Sequence, residues 1–137
     1  MQCIENLRPQ IEEKQIKIRF KFTKNMLSFL LDEEKVKQAL YNLLLNAVQA
    51  VDKEGVSEIN GRIRKGNLII RILDNGCGIK RSDMPFIFDP FFSTKPKGTG
   101  LGLPLAKKII EAHNGMINIK IRKPKGVCVE VVIPVKE

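Results

Sequence analysis

Lys95-Pro96-Lys97-Gly98-Thr99-Gly100-Leu101-Gly102-Leu103-Pro104 is a glycine-alternating loop that runs straight into an apolar-periodic segment. Glycine at every second position leaves backbone N–H groups uncovered by Cβ atoms and free to take positive φ. Pro104 stands where a first helical residue would, and Leu105, Ala106, Ile109 and Ile110 follow at helical spacing. At such a start the unpaired N–H groups and the helix dipole point the same way, so the loop attracts anions. Lys95 and Lys97 add full positive charges at its entrance. The first expectation is a polyphosphate site, set against the plain alternative of a Gly-rich turn before a helix. The spacing matches neither Gly-x-x-x-x-Gly-Lys-Ser/Thr nor a Gly-x-Gly-x-x-Gly placed directly after a strand.

Working outward, Arg81 to Gly100 holds Pro85, Pro90 and Pro96 together with Phe86, Phe88, Phe91 and Phe92. The prolines forbid a long helix, and a loop of this length inside a compact domain is usually functional or disordered. Four of the chain's seven Phe lie here, so the segment is expected to be a mobile lid, about residues 81–100, with hydrophobic anchors. Beyond the loop, the helix from Pro104 is expected to stop at Asn114-Gly115. Met116 to Arg122 and Val127 to Ile133 then make a hairpin around Pro124-Lys125-Gly126, with Ile117, Ile119 and Ile121 facing the core.

Further upstream, Ser57 to Arg64 and Asn67 to Leu73 read as antiparallel strands around a Lys65-Gly66 turn. The second strand stops at Asp74-Asn75-Gly76-Cys77-Gly78-Ile79. A carboxylate at a strand end, followed by two glycines, can set one acidic group against a flat ligand that approaches bare backbone. Before these strands lies a helix with Asp32 as its expected N-cap and Glu33 and Glu34 at its positive end. Val36, Leu40, Leu43, Leu44, Ala47, Val48 and Val51 form its apolar face. Its other face is unusual. From Gln38 to Val51 no residue is charged, and Gln38, Asn42, Asn46 and Gln49 form a carboxamide stripe. A solvated helix face normally carries Lys and Glu, so this stripe is expected to look into a pocket, with an amide-rich surface as the alternative. At the amino-terminal end, Met1 to Lys14 reads as a short helix, Ile16 to Phe22 as a strand with one wet face, and Met26 to Leu31 as a second short strand.

Two hairpins with helices between them, and no alternating βαβ units, predict an α+β fold. The expected form is a two-layer sandwich of a mixed, mostly antiparallel sheet with helices on one face. At 137 residues the chain is expected to be a single domain with a real core. No apolar run reaches membrane-spanning length and no signal-peptide pattern opens the chain. Cys3, Cys77 and Cys128 form no Cys-x-x-Cys pair, which argues against a disulfide framework or zinc and fits a cytoplasmic setting. Net charge is +9, from 24 basic and 15 acidic residues. The bases are spread along the chain without aromatic interleaving, so a polyanionic small ligand or an acidic protein is expected as partner, with no nucleic acid and no membrane contact.

Taken together, these motifs resemble the GHKL (Bergerat-fold) ATP-binding superfamily, and more closely the catalytic and ATP-binding domain of bacterial sensor histidine kinases. Asn42-Leu43-Leu44-Leu45-Asn46-Ala47 is similar to the N box of that family and Asp74-Asn75-Gly76-Cys77-Gly78-Ile79 to its G1 box. Phe86-Ile87-Phe88-Asp89-Pro90-Phe91-Phe92 matches the F box and Gly98-Thr99-Gly100-Leu101-Gly102-Leu103 the G2 box. The Pro-Phe-Phe-Ser-Thr-Lys lid most resembles nitrogen-regulator-type kinases. The resemblance implies ATP and Mg²⁺ as cofactors. It implies that Asp74 accepts from the adenine amino group, with Gly76 in the same turn and Gly78 and Ile79 beside the ring, and that Asn46 ligates Mg²⁺. It further implies that Asn42 supports the phosphates or a metal-bound water, and that Gln49 and Ala50 line the pocket near the ribose and phosphates. Lys95 and the Gly98, Thr99, Gly100, Leu101, Gly102 and Leu103 loop would then hold the β- and γ-phosphates.

The hydrolysing members of the superfamily, of gyrase, mismatch-repair and heat-shock chaperone type, resemble one another in a Glu one helical turn before the metal-binding Asn. Here that position is Asn42, an amide with no basic character, so the expected activity is phosphoryl transfer to a protein nucleophile. The implied partners are a histidine-bearing dimerisation domain, absent from this chain, and a cognate response regulator. No residue of the chain itself is expected to react chemically, and His113, before a helix-stop glycine, is not expected to be the acceptor. After Gly126, Val127 and Val129 depart from the Thr and the aromatic two residues on that are common in the family. A serine kinase of anti-sigma-factor type and a regulatory nucleotide-binding module remain the alternatives.

Overall fold

A computed structural model describes residues 8–9, 11–13, 15–22, 33–51, 55–90, 92 and 102–135. Five strands, β1 (Lys17–Phe22), β2 (Val56–Arg64), β3 (Asn67–Asp74), β4 (Met116–Ile121) and β5 (Val127–Pro134), form one sheet in the order β1-β2-β3-β5-β4. Two helices, α1 (Glu34–Ala50) and α2 (Gly102–Ala112), pack on each other, α1 also against β3 and α2 against β4. The result is the expected α+β sandwich.

The core follows from two periodicities meeting. Val36, Ala39, Leu40, Leu43, Leu44, Ala47 and Val48 are the buried face of α1. Leu68, Ile70 and Ile72 alternate inward on β3, and Val127, Val129, Val131 and Ile133 do so on β5. Each fully buried side chain of this size contributes about 1.5–3 kcal/mol of transfer free energy. Lys65 and Gly66 both take positive φ (52° and 78°), the geometry that matches a two-residue hairpin to strand twist. At the end of α2, Asn114 is left-handed (φ 61°), Gly115 N–H donates to Ile110 C=O and Asn114 N–H to Glu111 C=O. That is a Schellman stop with Asn in the left-handed position, as the sequence predicts.

The structure departs from the sequence reading in four places. β1 and β2 are adjacent and parallel, with α1 in the connection between them, so one βαβ unit is present. Strand spacing alone carries no information on that sense of pairing. α2 begins at Gly102 rather than Pro104; proline is tolerated there because first-turn N–H groups have no intrahelical acceptor. Ile117 and Ile119 pack against the core, but Ile121, at the end of edge strand β4, is 39% exposed. Finally, Glu33 takes the N-cap position of α1 without a side-chain cap bond. Asp32, the expected cap, and the strand expected at Met26 to Leu31 lie outside the described residues.

Candidate functional site

Asp74 closes β3 on the core side of the sheet, level with Ser57 and Val127. It is 4% exposed, and a carboxylate so buried must be hydrogen-bonded. Its Oδ1 accepts the Gly76 N–H at 2.8 Å, an Asx turn that bends the chain away from the sheet. Asn75 locks the bend in place. Its side-chain oxygen accepts the Val56 N–H at 2.9 Å and its own N–H donates to Val56 C=O at 3.2 Å, so it pairs with the start of β2 as a strand residue would.

The same turn caps α1. Cys77 N–H donates to the Ala50 carbonyl at 2.9 Å, satisfying one of the orphan acceptors of the helix end. Only glycine fits at 76, because a Cβ there would stand 2.3 Å from Ala50 O. Gly126, at φ +107°, packs so closely on Asp74 that a Cβ would collide with the Asp74 carbonyl oxygen. Arg122 completes the clamp. It donates through Nη1 to Asp74 C=O at 2.8 Å, and its backbone N–H donates to Gly126 C=O at 2.9 Å.

From this turn the carboxamide stripe runs back along α1. Asn42, Asn46, Gln49 and Ala50 are half-buried on that helix, and Asn42 Nδ2 is buried with no partner among the described residues. Gly102, first residue of α2, faces Asn46: a Cβ there would stand 3.8 Å from Asn46 Nδ2. Ile79 and Leu103 are half-buried against the core. The structure therefore joins the Asp74 turn to the end of α1 through Ala50, and the middle of α1 to the start of α2 through Asn46. Among the described residues no trio of His, Cys, Asp or Glu is placed to hold a metal. The side-chain oxygens of Asn42, Asn46 and Gln49 on the half-buried face of α1 are hard donors of the kind a magnesium ion accepts. Lys95, Gly98, Thr99, Gly100 and Leu101 lie outside the described residues.

The described part of the expected lid, 81–90 and 92, is a succession of tight turns around a 3₁₀ segment at Met84–Phe86. Its anchors differ in part from the expected ones, and Phe91 lies outside the described residues. Ile87 is the buried side chain at 7% exposure, whereas Phe86 is 49% exposed and stacks at 6.0 Å on Phe92. Phe88 tethers the segment to α2, with Lys107 Nζ 4.8 Å from its ring centre. Sequence reading missed Arg122, Gly126 and the bridging role of Asn75. Gly126 carries a turn signal, but nothing local to Arg122 foretells its partner 48 residues away.

Residues 31–137 match the family described as "Histidine kinase-, DNA gyrase B-, and HSP90-like ATPase". The chain is 44% identical over 105 residues to the signal transduction histidine-protein kinase AtoS of Escherichia coli K12, covering 76% of the chain and 17% of that protein. It is 34% identical over 125 residues to the sensor histidine kinase ZraS of Salmonella typhimurium, covering 90% of the chain and 27% of that protein. The chain thus spans about a quarter or less of these curated relatives. Among solved structures it superposes on the nucleotide-free catalytic domain of the histidine kinase ThkA with TM-score 0.79 at 29% identity, over 97% of the chain and 88% of that domain.

Proposed function

The chain belongs to the histidine kinase-, DNA gyrase B- and HSP90-like ATPase family, and from that premise we propose that it binds Mg-ATP and passes the γ-phosphate to a histidine on a partner dimerisation domain. On this reading residues 1–137 are one ATP-binding unit with a lid at about 81–100, serving a response regulator through that partner. The observation that carries transfer over hydrolysis is the chemistry of the α1 face. It offers Asn42, Asn46 and Gln49, and its one acid, Glu34, is exposed in the first turn beside Lys37. An amide at 42 cannot take a proton from water, so the bound triphosphate keeps until a protein nucleophile arrives.

Asp74, held by Gly76, accepts from the adenine amino group, while Gly78 and Ile79 lie against the ring. The first-turn N–H groups of α2, at Gly102 and Leu103, face phosphate oxygens, and Lys95 and Gly98 to Leu101 serve the same β- and γ-phosphates. Asn42 Nδ2, buried without a partner among the described residues, donates to a phosphate oxygen or a metal-bound water. Asn46 supplies the protein oxygen to Mg²⁺, which when bound neutralises phosphate charge during transfer. His113 is already engaged, its Nδ1 2.9 Å from Ile109 O and its Nε2 3.5 Å from Glu33, which supports an acceptor on another domain. No helix among the described residues is long and apolar enough to cross a membrane.

The test is incubation with γ-labelled ATP, Mg²⁺ and a histidine-bearing helical-hairpin domain. An acid-labile label on the hairpin is expected. An acid-stable label would indicate a serine kinase, and tight nucleotide binding with no labelling a regulatory module. Brisk ATP splitting without any acceptor would overturn the reading.

A further inference from the structure

The face of the sheet turned away from α1 and α2 carries its charge in an ordered way. The register puts Lys17, Arg19 and Lys21 of β1, Arg62 and Arg64 of β2, and Lys120 of β4 on this face, and all six are exposed. With Arg71, the face holds seven bases against two acids, Glu58 and Glu130. Its centre is neutral. Arg71 Nε lies 2.7 Å from Glu130 Oε2 on the neighbouring strand, a cross-strand pair that cancels. Asn60 of β2 and Asn118 of β4 flank that pair in the same row, and Ile69 and Leu73 of β3, Val132 of β5 and Met116 of β4, the last 63% exposed, lie above and below it. At the rim, Lys21 meets Glu58 at 3.5 Å. Lys17, Arg19, Arg62, Arg64 and Lys120 have no acidic partner among the described residues.

We propose that this open sheet face is a docking surface for an acidic protein domain, one that presents an apolar centre ringed by Asp and Glu. A charge-neutral middle with apolar side chains on both sides of it, inside a charged rim, fits the anatomy of a protein–protein interface. A second copy of the chain is excluded by like charge, basic rim against basic rim. Nucleic acid is disfavoured by shape and chemistry. Five strands at about 4.8 Å spacing make a plane about 19 Å across, too broad for a major groove about 12 Å wide. Nor does the face offer an aromatic on which an unpaired base could stack. A membrane is disfavoured because, among the described residues, the apolar side chains of this face belong to the strands themselves and stand inside the basic rim. A plane this small belongs with transient complexes, below the area of stable ones, and its on-rate and affinity depend on salt.

The experiment is a heteronuclear NMR titration of the chain with an acidic oligopeptide that has a Leu centre and Glu-rich ends. Its isosteric Gln analogue, a short DNA duplex and phosphatidylglycerol vesicles are run in parallel. The expected result is amide shifts confined to the five strands β1 to β5 that form the open face, lost in the Gln analogue and at high salt. Arg62→Glu with Arg64→Glu should weaken the acidic peptide about tenfold and leave ATP affinity unchanged. Shifts centred on α1 and α2, equal binding of the Gln analogue, tighter binding of duplex or vesicles, or no binding at all would each overturn the proposal.

Discussion

The guanidinium of Arg122 donates to the backbone carbonyl of Asp74 at 2.8 Å, so the turn between β4 and β5 holds the strand end that carries the buried carboxylate. Gly126 presses on the same carbonyl from the other side of that turn. The orientation of the Asp74 carboxylate is therefore set from two directions, by the Gly76 N–H in front and by the hairpin behind.

Removing that support should be felt at the base and not at the phosphates. Arg122→Ala deletes a hydrogen bond from a charged donor, about 1.5–3 kcal/mol, and roughly tenfold weaker ATP binding corresponds to the lower figure. Inosine triphosphate lacks the amino group proposed to donate to Asp74, so its weaker affinity should hardly change. Calorimetry with both nucleotides separates the cases: parallel losses would mean general loosening of the fold.

Asp74→Asn keeps the shape of the side chain and its bond from Gly76, but removes the charge on the acceptor. ATP affinity should fall by about 1.5–3 kcal/mol with little change in thermal midpoint. Unchanged affinity in calorimetry would remove Asp74 from adenine recognition.

Asn46→Ala removes the carboxamide that faces the start of α2 and that the proposal makes the Mg²⁺ ligand. Transfer to an acceptor histidine should disappear while adenosine, which needs no metal, still binds. Full labelling of an acceptor by this variant would refute the metal role.

The parts of this fold legible in the sequence are those written locally. The apolar face of α1 repeats every three or four residues, and Lys65-Gly66 and Asn114-Gly115 announce a hairpin and a helix stop through backbone geometry alone. The carboxamide stripe was legible because charge is missing where solvent would favour it. Illegible were the features that need the third dimension. The parallel pairing of β1 with β2 depends on the path of the chain through α1, and the grip of Arg122 on Asp74 depends on β5 lying between β3 and β4. Four Phe drew attention from Ile87, because bulk in a sequence does not say which side chain points inward.

Cys128 and Cys77 should separate under alkylation. Burial pushes the Cys128 thiol above the ordinary cysteine range, and nearby Arg71 only partly offsets it. The thiolate is the reactive form, so a raised pKa means less of it at about pH 7 and a rate that climbs only at higher pH than for a free peptide cysteine. Cys77 is exposed and should be modified first. Peptide mapping after iodoacetamide treatment across a pH series reads both sites, and equal labelling at neutral pH would contradict the ordering.

Ile87 and Phe86 are neighbours with opposite expected weights. Ile87 is buried, so Ile87→Ala loses transfer energy and leaves a cavity, about 2–5 kcal/mol for a fully packed site. Phe86 gives nearly half its surface to solvent, so Phe86→Ala should cost far less. If the segment is a lid that ATP orders, Mg-ATP should slow protease cleavage between Ser82 and Lys97 in the parent chain. Ile87→Ala should speed cleavage and blunt that protection, whereas Phe86→Ala should leave both near the parent values. Equal effects of the two substitutions would show that the anchor is the aromatic pair of Phe86 and Phe92 rather than the single aliphatic side chain beneath it.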